Sequence, residues 1–372
     1  MDSSKVSGSA PADRRGLYPT VLYAALREPS YVRNLVTLRA LGNAGVEVIR
    51  CTSQRRSYPL RMIEVAARLM WAAATRRFDV VVLGFLAQPL VPLARMLTRK
   101  PLVVDGFISL YDTLCFDRHT FKPRSPGGRF VHWLDRHAFR RADILVVDTH
   151  EHGEYFHGEF GVSTSSVRIV PVGADDEMFR PRPRQTRAGG RLVFYYATGL
   201  PVHGLRYVLE AARLVQSKGI TLRIAGPPET MENSPPNVSK LGWVGIDDLA
   251  QEMSEADVVL AGHFSVVPKA QRTVAGKTYQ ALACGRPTIV SDLPANRRVL
   301  QDGRTAFFCE AASPVSIAAT IELVLADPSA AERVAYQGRR AYESSWHIDA
   351  LTTLWVNVLR DAIRAHASPQ TK

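Results

Sequence analysis

The chain has 372 residues, 46% hydrophobic and 22% charged, a composition that excludes disordered, fibrous and collagen-like classes. Its net charge of +12 is uneven: residues 1–186 hold 27 basic and 18 acidic side chains (+9), whereas 187–372 hold 20 and 17 (+3). Cys51, Cys115, Cys284 and Cys309 stand far apart without a CxxC pair, which excludes a disulfide scaffold or zinc ribbon and suits a reducing, cytoplasmic setting.

At roughly 150 residues per domain, the length predicts two domains. Residues 1–18 begin with a Ser-, Gly- and Ala-rich stretch without an apolar core, expected to be a disordered lead-in rather than a signal peptide. Beyond it, short apolar runs alternate with amphipathic stretches, the signature of a parallel α/β architecture. The expected strands are Thr20–Leu26, Val46–Arg50, Asp79–Phe85, Pro101–Asp105, Ile144–Asp148 and Val167–Pro171. Helical stretches separate them at Val32–Ala44, Leu60–Arg76, Leu90–Thr98, Gly128–Arg141 and Glu151–Phe160. Six such strands make residues 19–182 a nearly complete doubly wound, Rossmann-like domain. The most apolar window, Val80–Leu97, is broken by Gln88, Pro89, Pro92 and Arg95 and falls short of the ~20 apolar residues a membrane span needs.

Phe179–Arg191 is rich in Pro, Arg and Gly and reads as a linker. The pattern then restarts with strands Arg191–Ala197, Thr221–Gly226, Leu241–Val244, Asp257–Gly262 and Pro287–Val290. Helices are expected at Gly204–Lys218, Asp247–Ala256 and Ala275–Ala283, so residues 190–345 form a second doubly wound unit. Residues 346–372 are expected to be a C-terminal helix that crosses back to brace the first lobe. Two lobes of this kind bind ligand in the cleft between the carboxyl ends of their strands.

Much chemistry is absent. The chain has no GxxxxGK[ST], no strand followed by GxGxxG, no GxSxG or HExxH and no kinase set. No Asp-x-Asp follows a strand end to hold a metal on a diphosphate. His150, Glu154 and His157 would share one helix face, either as a metal-like cluster or, more simply, as a solvated face, and no metal is expected. The basic excess of the first half suits an anionic partner or a solvated surface. Pro59–Phe78 is a basic amphipathic helix with Met62, Ile63, Ala66, Leu69, Met70 and Ala73 roughly on one side, facing either the core or a membrane. Nucleic-acid binding is not expected, since basic and aromatic residues are not interleaved in a module.

Three ordered segments, IVPVGADDEMF (Ile169–Phe179), YYATGLPVHGLRYVLEAARLV (Tyr195–Val215) and KTYQALACGRPTIVSDLPANRRVLQDGRTAFF (Lys277–Phe308), resemble the GT-B glycosyltransferases of the retaining family-4 type. The likeness spans about residues 165–345; the first lobe resembles that family mainly in architecture. It implies a GT-B fold: two Rossmann-like domains facing across a cleft. It further implies transfer of a sugar from a nucleotide-diphosphate sugar to an acceptor hydroxyl, with retention and with neither metal nor bound cofactor. The acceptor would be anionic or lipid-linked, and the enzyme cytoplasmic, either free or peripheral on the inner face of the membrane.

The chemistry suits the motifs. The turn Ala197–Gly204 feeds a helix whose N–H groups and positive dipole end can hold a diphosphate, and Gly204 permits close backbone approach. Lys277, near another helix start, would add a cation on the leaving diphosphate. The family often has an Arg and a Lys in the turn, where this chain has Thr198 and His203. Its E-x7-E becomes Arg272 and Gln280, Gln280 being suited to a ribose diol. The expected donor site is therefore Thr198, His203, Gly204, Arg272, Lys277 and Gln280. Across the cleft Asp105, ending a strand, is expected to be catalytic with Lys277, and Arg33 to meet an anionic acceptor. A GT-B sugar-nucleotide epimerase and a catalytically impaired binding or scaffolding subunit are the alternatives.

Overall fold

The computed structural model describes residues 18–183 and 190–367; the lead-in and the middle of the expected linker lie outside the described residues. The first lobe runs β1 (Val21–Ala24), α1 (Val32–Asn43), β2 (Val48–Cys51), α2 (Tyr58–Thr75), β3 (Val80–Leu83), α3 (Val91–Leu97), β4 (Leu102–Asp105), α4 (Pro126–Arg141), β5 (Ile144–Val147), α5 (His150–Phe160) and β6 (Val167–Ile169). Its sheet is parallel throughout, in the order β2-β1-β3-β4-β5-β6. β1, β3 and β5 read VLYA, VVVL and ILVV and are buried at every position. A parallel sheet covered on both faces has no wet side, so its strands are continuous apolar runs rather than alternating ones.

The second lobe runs β7 (Arg191–Tyr196), α6 (Leu205–Leu214), β8 (Ile220–Ala225), β9 (Val238–Gly242), α7 (Ile246–Glu255), β10 (Val258–Leu260), α8 (Pro268–Arg272), α9 (Gly276–Ala283), β11 (Thr288–Ser291), α10 (Pro294–Val299), β12 (Phe307–Cys309), α11 (Pro314–Ala326) and α12 (Pro328–Ser345). Its parallel order, β12-β11-β10-β7-β8-β9, reverses between β7 and β10, and the crevice at such a reversal is where doubly wound sheets bind ligands. Three details differ from the sequence reading. β9 lies a few residues before Leu241–Val244, α6 gives way to a single 3-10 turn at Gln216–Lys218, and the short β12 extends the sheet edge.

The final helix, α13 (Ile348–Ala367), is about 30 Å long and lies on the first lobe. Leu351, Trp355, Val358, Leu359 and Ala362 follow a helical repeat and enter the core formed by α1 and the sheet face bearing Val21, Tyr23 and Val82. The opposite face of that sheet is covered by α2, α3, α4 and α5. On α2 the core-facing stripe is Met62, Val65, Ala66, Leu69, Ala72 and Ala73. Ile63 and Met70, expected on that side, instead face outward, 63% and 45% exposed. At 100° per residue they belong with Leu60, Ala67, Trp71 and Ala74 in a second, outward apolar stripe. No helix among the described residues is long and apolar enough to cross a membrane.

Trp355, 1% exposed, is the largest side chain that α13 buries in the first lobe. Trp355→Ala is expected to lower stability by about 3–5 kcal/mol, measured as a lower urea midpoint of first-lobe unfolding. An unchanged midpoint would show that α13 is not part of that core.

Candidate functional site

The site grows from the turn after β7. Gly204 has φ +70°, and a Cβ there would come within 2.5 Å of the Phe264 backbone and 2.9 Å of the Ser265 nitrogen. Only a residue without a side chain lets the turn lie this close to the segment after β10. The approach is held by the carbonyl of His203, which accepts from the Phe264 N–H (3.1 Å) and the Tyr195 hydroxyl (2.6 Å). A cavity of about 430 Å³ opens at this point, lined in part by Gly199, Leu200, Gly204, Arg206, Thr230 and Val266.

Two imidazoles meet beside the turn. His203 and His263 are stacked, with ring centroids 5.7 Å apart and planes 7° from parallel. His203 Nδ1 accepts the Thr198 backbone N–H at 2.9 Å, which assigns its proton to Nε2. His263 Nδ1 is buried without a hydrogen-bond partner. Burial, then Lys277 and Lys269, lower the His263 pKa to about 3; burial, then Lys277, His263 and Lys269, hold His203 well below its ordinary value.

Lys277, the second residue of α9, is 2% exposed. Its Nζ donates to the Tyr196 carbonyl at 2.7 Å and lies 4.2 Å and 5.0 Å from the ring centroids of Tyr195 and Tyr196. No carboxylate among the described residues lies within ion-pair distance, and burial pushes its pKa well below the lysine range. An ammonium at a helix N-terminus also opposes the helix dipole. One turn along α9, the side-chain carbonyl of buried Gln280 accepts from the Tyr196 hydroxyl at 2.8 Å. Thr198, His203, Gly204, Lys277 and Gln280 are thus brought together around the carboxyl end of β7, and His263 joins them. His263 had a signal in the sequence that went unused: it follows β10, the other strand at the reversal point.

Three expected residues are engaged elsewhere. The Arg272 guanidinium turns to the first lobe, donating to Asp112 Oδ1 at 2.9 Å and lying 3.8 Å over the Tyr155 ring. Arg33 and Asp105 form a buried two-point ion pair, Nε to Oδ2 at 2.8 Å and Nη2 to Oδ1 at 3.0 Å, 1% and 2% exposed. Arg33 Nη1 also donates to the carbonyls of Val170 and Pro171, so the pair ties α1, β4 and the segment after β6 together. Each therefore holds the other's charge in this structure. His150, Glu154 and His157 are exposed on α5, and no cluster suited to a metal occurs among the described residues.

The first lobe contributes further partners, among them Asp112 and Asp117 from the polar stretch Ser109–Arg118, which the sequence alone does not place. A π-helical turn, Asp112–Asp117, reaches α8, Asp112 gripping Arg272 and Asp117 gripping Lys269. Arg298 of α10 pairs with Glu151 at 2.6 Å, and the Thr149 hydroxyl donates to the Arg272 carbonyl. At the end of β5, Asp148 is held by His152 Nδ1 at 2.6 Å.

Residues 12–173 match the family described as glycosyl transferase 4-like domain, and residues 191–327 match glycosyl transferases group 1. The MMP alpha-(1->4)-mannosyltransferase of Mycolicibacterium hassiacum is 25% identical over 61% of this chain and 56% of that protein. A D-inositol 3-phosphate glycosyltransferase of Nocardiopsis dassonvillei is 24% identical over 62% and 58%. The chain therefore spans little more than half the length of these relatives. Sucrose-phosphate synthase from Thermosynechococcus elongatus superposes with a TM-score of 0.73 at 16% identity, covering 94% of this chain and 100% of the other. Anabaena HepE in complex with UDP-glucose superposes with 0.70 at 14% identity, covering 92% and 100%. These likenesses establish the fold: two Rossmann-like domains in the GT-B arrangement.

Lys277→Met removes a buried charge that has no protein counter-charge. The variant is expected to be more stable than the wild type by about 0.5–2 kcal/mol. Because the folded pKa is lowered, the unfolded chain binds more protons between the two pKa values, and the stability of the wild type rises with pH through that window. The advantage of the variant should therefore shrink as pH approaches the ordinary lysine range. Calorimetry at several pH values measures this, and a destabilised variant would contradict it.

Proposed function

We propose, since residues 12–173 match the glycosyl transferase 4-like domain and residues 191–327 the glycosyl transferases group 1, that the chain moves a sugar from a nucleoside-diphosphate sugar to an acceptor hydroxyl, without metal and with retention. The observation that carries this reading is the Lys277 Nζ, buried against two aromatic rings and a carbonyl with no carboxylate beside it to balance its ammonium form. Such a charge is stabilised by an anion that arrives with the substrate. A diphosphate on Lys277 would also face the N-terminal N–H groups of α9, where the helix dipole favours negative charge. The UDP-glucose in the HepE structure supports a donor of this class. The Gln280 amide would meet the ribose diol, and His203, donating through Nε2, would meet a phosphate oxygen.

Each of four first-lobe carboxylates has a cationic or imidazole partner on at least one oxygen: Asp105 with Arg33, Asp112 with Arg272, Asp117 with Lys269 and Asp148, through Oδ1 alone, with His152. This supports a mechanism without a protein nucleophile, in which the leaving phosphate oxygen takes the proton of the incoming hydroxyl on the same face of the sugar. Lys277 and the α9 dipole would stabilise the charge that develops on the diphosphate as the glycosidic bond breaks.

The acceptor would be lipid-linked or anionic, met in the cytoplasm at the inner membrane face. Leu60, Ile63, Met70 and Trp71 of α2, Met96 of α3, and Phe130 and Trp133 of α4 are exposed apolar groups on neighbouring helices of one face. Arg129 and Arg136 lie on α4, and Arg76, Arg77, Arg99 and Lys100 follow the ends of α2 and α3, all exposed. Apolar groups set among cations suit an anionic bilayer surface. Arg272 bound to Asp112, with an amide at Gln280, favours a second reading, a binding subunit that takes the nucleotide without transferring sugar.

Thermal unfolding with UDP, GDP, ADP, CMP and dTDP, without metal, tests the donor pocket. One diphosphate at about 100 times its Kd should add about 2.7 kcal/mol, and Lys277→Ala should abolish the gain. No shift with any of them overturns the assignment. Release of sugar from the matching donor separates the enzyme from the binding subunit. For the membrane face, co-sedimentation with phosphatidylglycerol vesicles at low salt should exceed that with phosphatidylcholine and fall severalfold in Ile63→Ser/Trp71→Ser. Equal pelleting of variant and wild type would contradict the surface.

A further inference from the structure

The His203–His263 stack is an unusual thing to place beside a buried lysine. Every charged or titratable group found facing His263 is cationic or neutral: Lys277 from α9, Lys269 from α8, His203 from the turn after β7, and the phenols of Tyr195 and Tyr196 around Lys277. Burial raises both phenols above their ordinary pKa, so they stay uncharged. Among the described residues no carboxylate lies within ion-pair distance of either imidazole, and the nearby Asp117 is held by Lys269. Like charge and desolvation together keep the empty stack neutral.

The two rings are not equivalent. His203 receives the Thr198 N–H at Nδ1, and a proton placed there would set two N–H groups against each other. His203 is therefore fixed as a neutral donor through Nε2. His263 has no such restraint: its Nδ1 is buried and unpartnered, an arrangement that costs free energy with either a lone pair or a proton on that atom. A ligand that brings negative charge reverses the balance for His263 and for Lys277, and leaves the tautomer of His203 untouched.

We propose that His263 is a further binding residue for the donor diphosphate and that it couples donor binding to proton uptake. It is neutral in the empty cleft and becomes an imidazolium when the diphosphate arrives, the proton coming from solvent. This rests on the reading that the Lys277 cleft takes a nucleoside diphosphate. By linkage, affinity for the diphosphate rises as pH falls, and product release is favoured as pH rises.

Isothermal titration of the full chain with UDP, GDP and inorganic pyrophosphate, in buffers of different ionisation enthalpy between pH 5.5 and 8, reads the protons directly. The wild type should take up protons on binding, with Kd tightening by up to about tenfold per pH unit for each proton. His263→Asn should bind more weakly and lose much of the uptake and slope. His203→Asn should weaken binding and keep the slope. A ligand-free arm uses the sign of the shift. The folded His263 pKa of about 3 lies below the unfolded value, so the unfolded chain binds the extra proton between them, and stability falls as pH drops through that window. His263→Asn should flatten that acid limb, a readout that also reports whether the variant folds. Binding with no proton uptake, or a His263→Asn protein with the wild-type slope, overturns the coupling and leaves the donor reading standing. Failure of all three ligands to bind the wild type overturns both.

Discussion

A primary ammonium held out of water by two aromatic rings and a single carbonyl is costly unless something negative reaches it, and the second lobe is organised to keep Lys277 in that state. The order of strands reverses between β7 and β10, and the start of α9 buries the lysine against the end of β7. Gly204 lets the turn after β7 press against the segment after β10, which stacks His203 on His263. The result is a site with a cation, two neutral imidazoles and no carboxylate partner for Lys277 among the described residues, suited to an anion from outside the chain.

The first lobe behaves in the opposite way. Its charged groups at the cleft are paired with one another or with α8 and α10 of the second lobe, through Arg33–Asp105, Asp148–His152, Arg272–Asp112, Lys269–Asp117 and Arg298–Glu151, although Asp148 Oδ2 and Glu151 Oε2 stay buried without a partner. Buried pairs such as Arg33–Asp105 are weak evidence for stability but strong determinants of geometry, because separating them leaves a bare charge. They fix the ends of β4, α1 and the segment after β6, and the cross-lobe pairs set the cleft walls. The outer surface of the first lobe carries the exposed apolar stripe and arginines of α2, α3 and α4. The division supports a donor held by one lobe and an acceptor presented to the other.

Most of the architecture was legible in the sequence, because parallel strands buried on both faces are short apolar runs such as VVVL and ILVV. The turn and Lys277 were legible too, since both lie within a strand–turn–helix pattern or a compact motif. What escaped reading depends on residues distant in the chain. Arg33 and Asp105 are 72 residues apart, and Arg272 and Asp112 are 160 apart, so nothing local reveals that each pair consumes its own charge. Two stripes on α2 read as one because a helix with apolar residues on adjoining faces has a broad apolar arc. His263 was hidden among ordinary residues at a strand end, and only the strand order makes that end the neighbour of β7.

The most direct test is a crystal structure of the chain with UDP, or with the diphosphate that proves to bind. The account predicts the diphosphate between the start of α9 and the turn 198–204, with an oxygen about 3 Å from Lys277 Nζ. A nucleotide bound away from Lys277, with that ammonium still facing only Tyr195 and Tyr196, would contradict it.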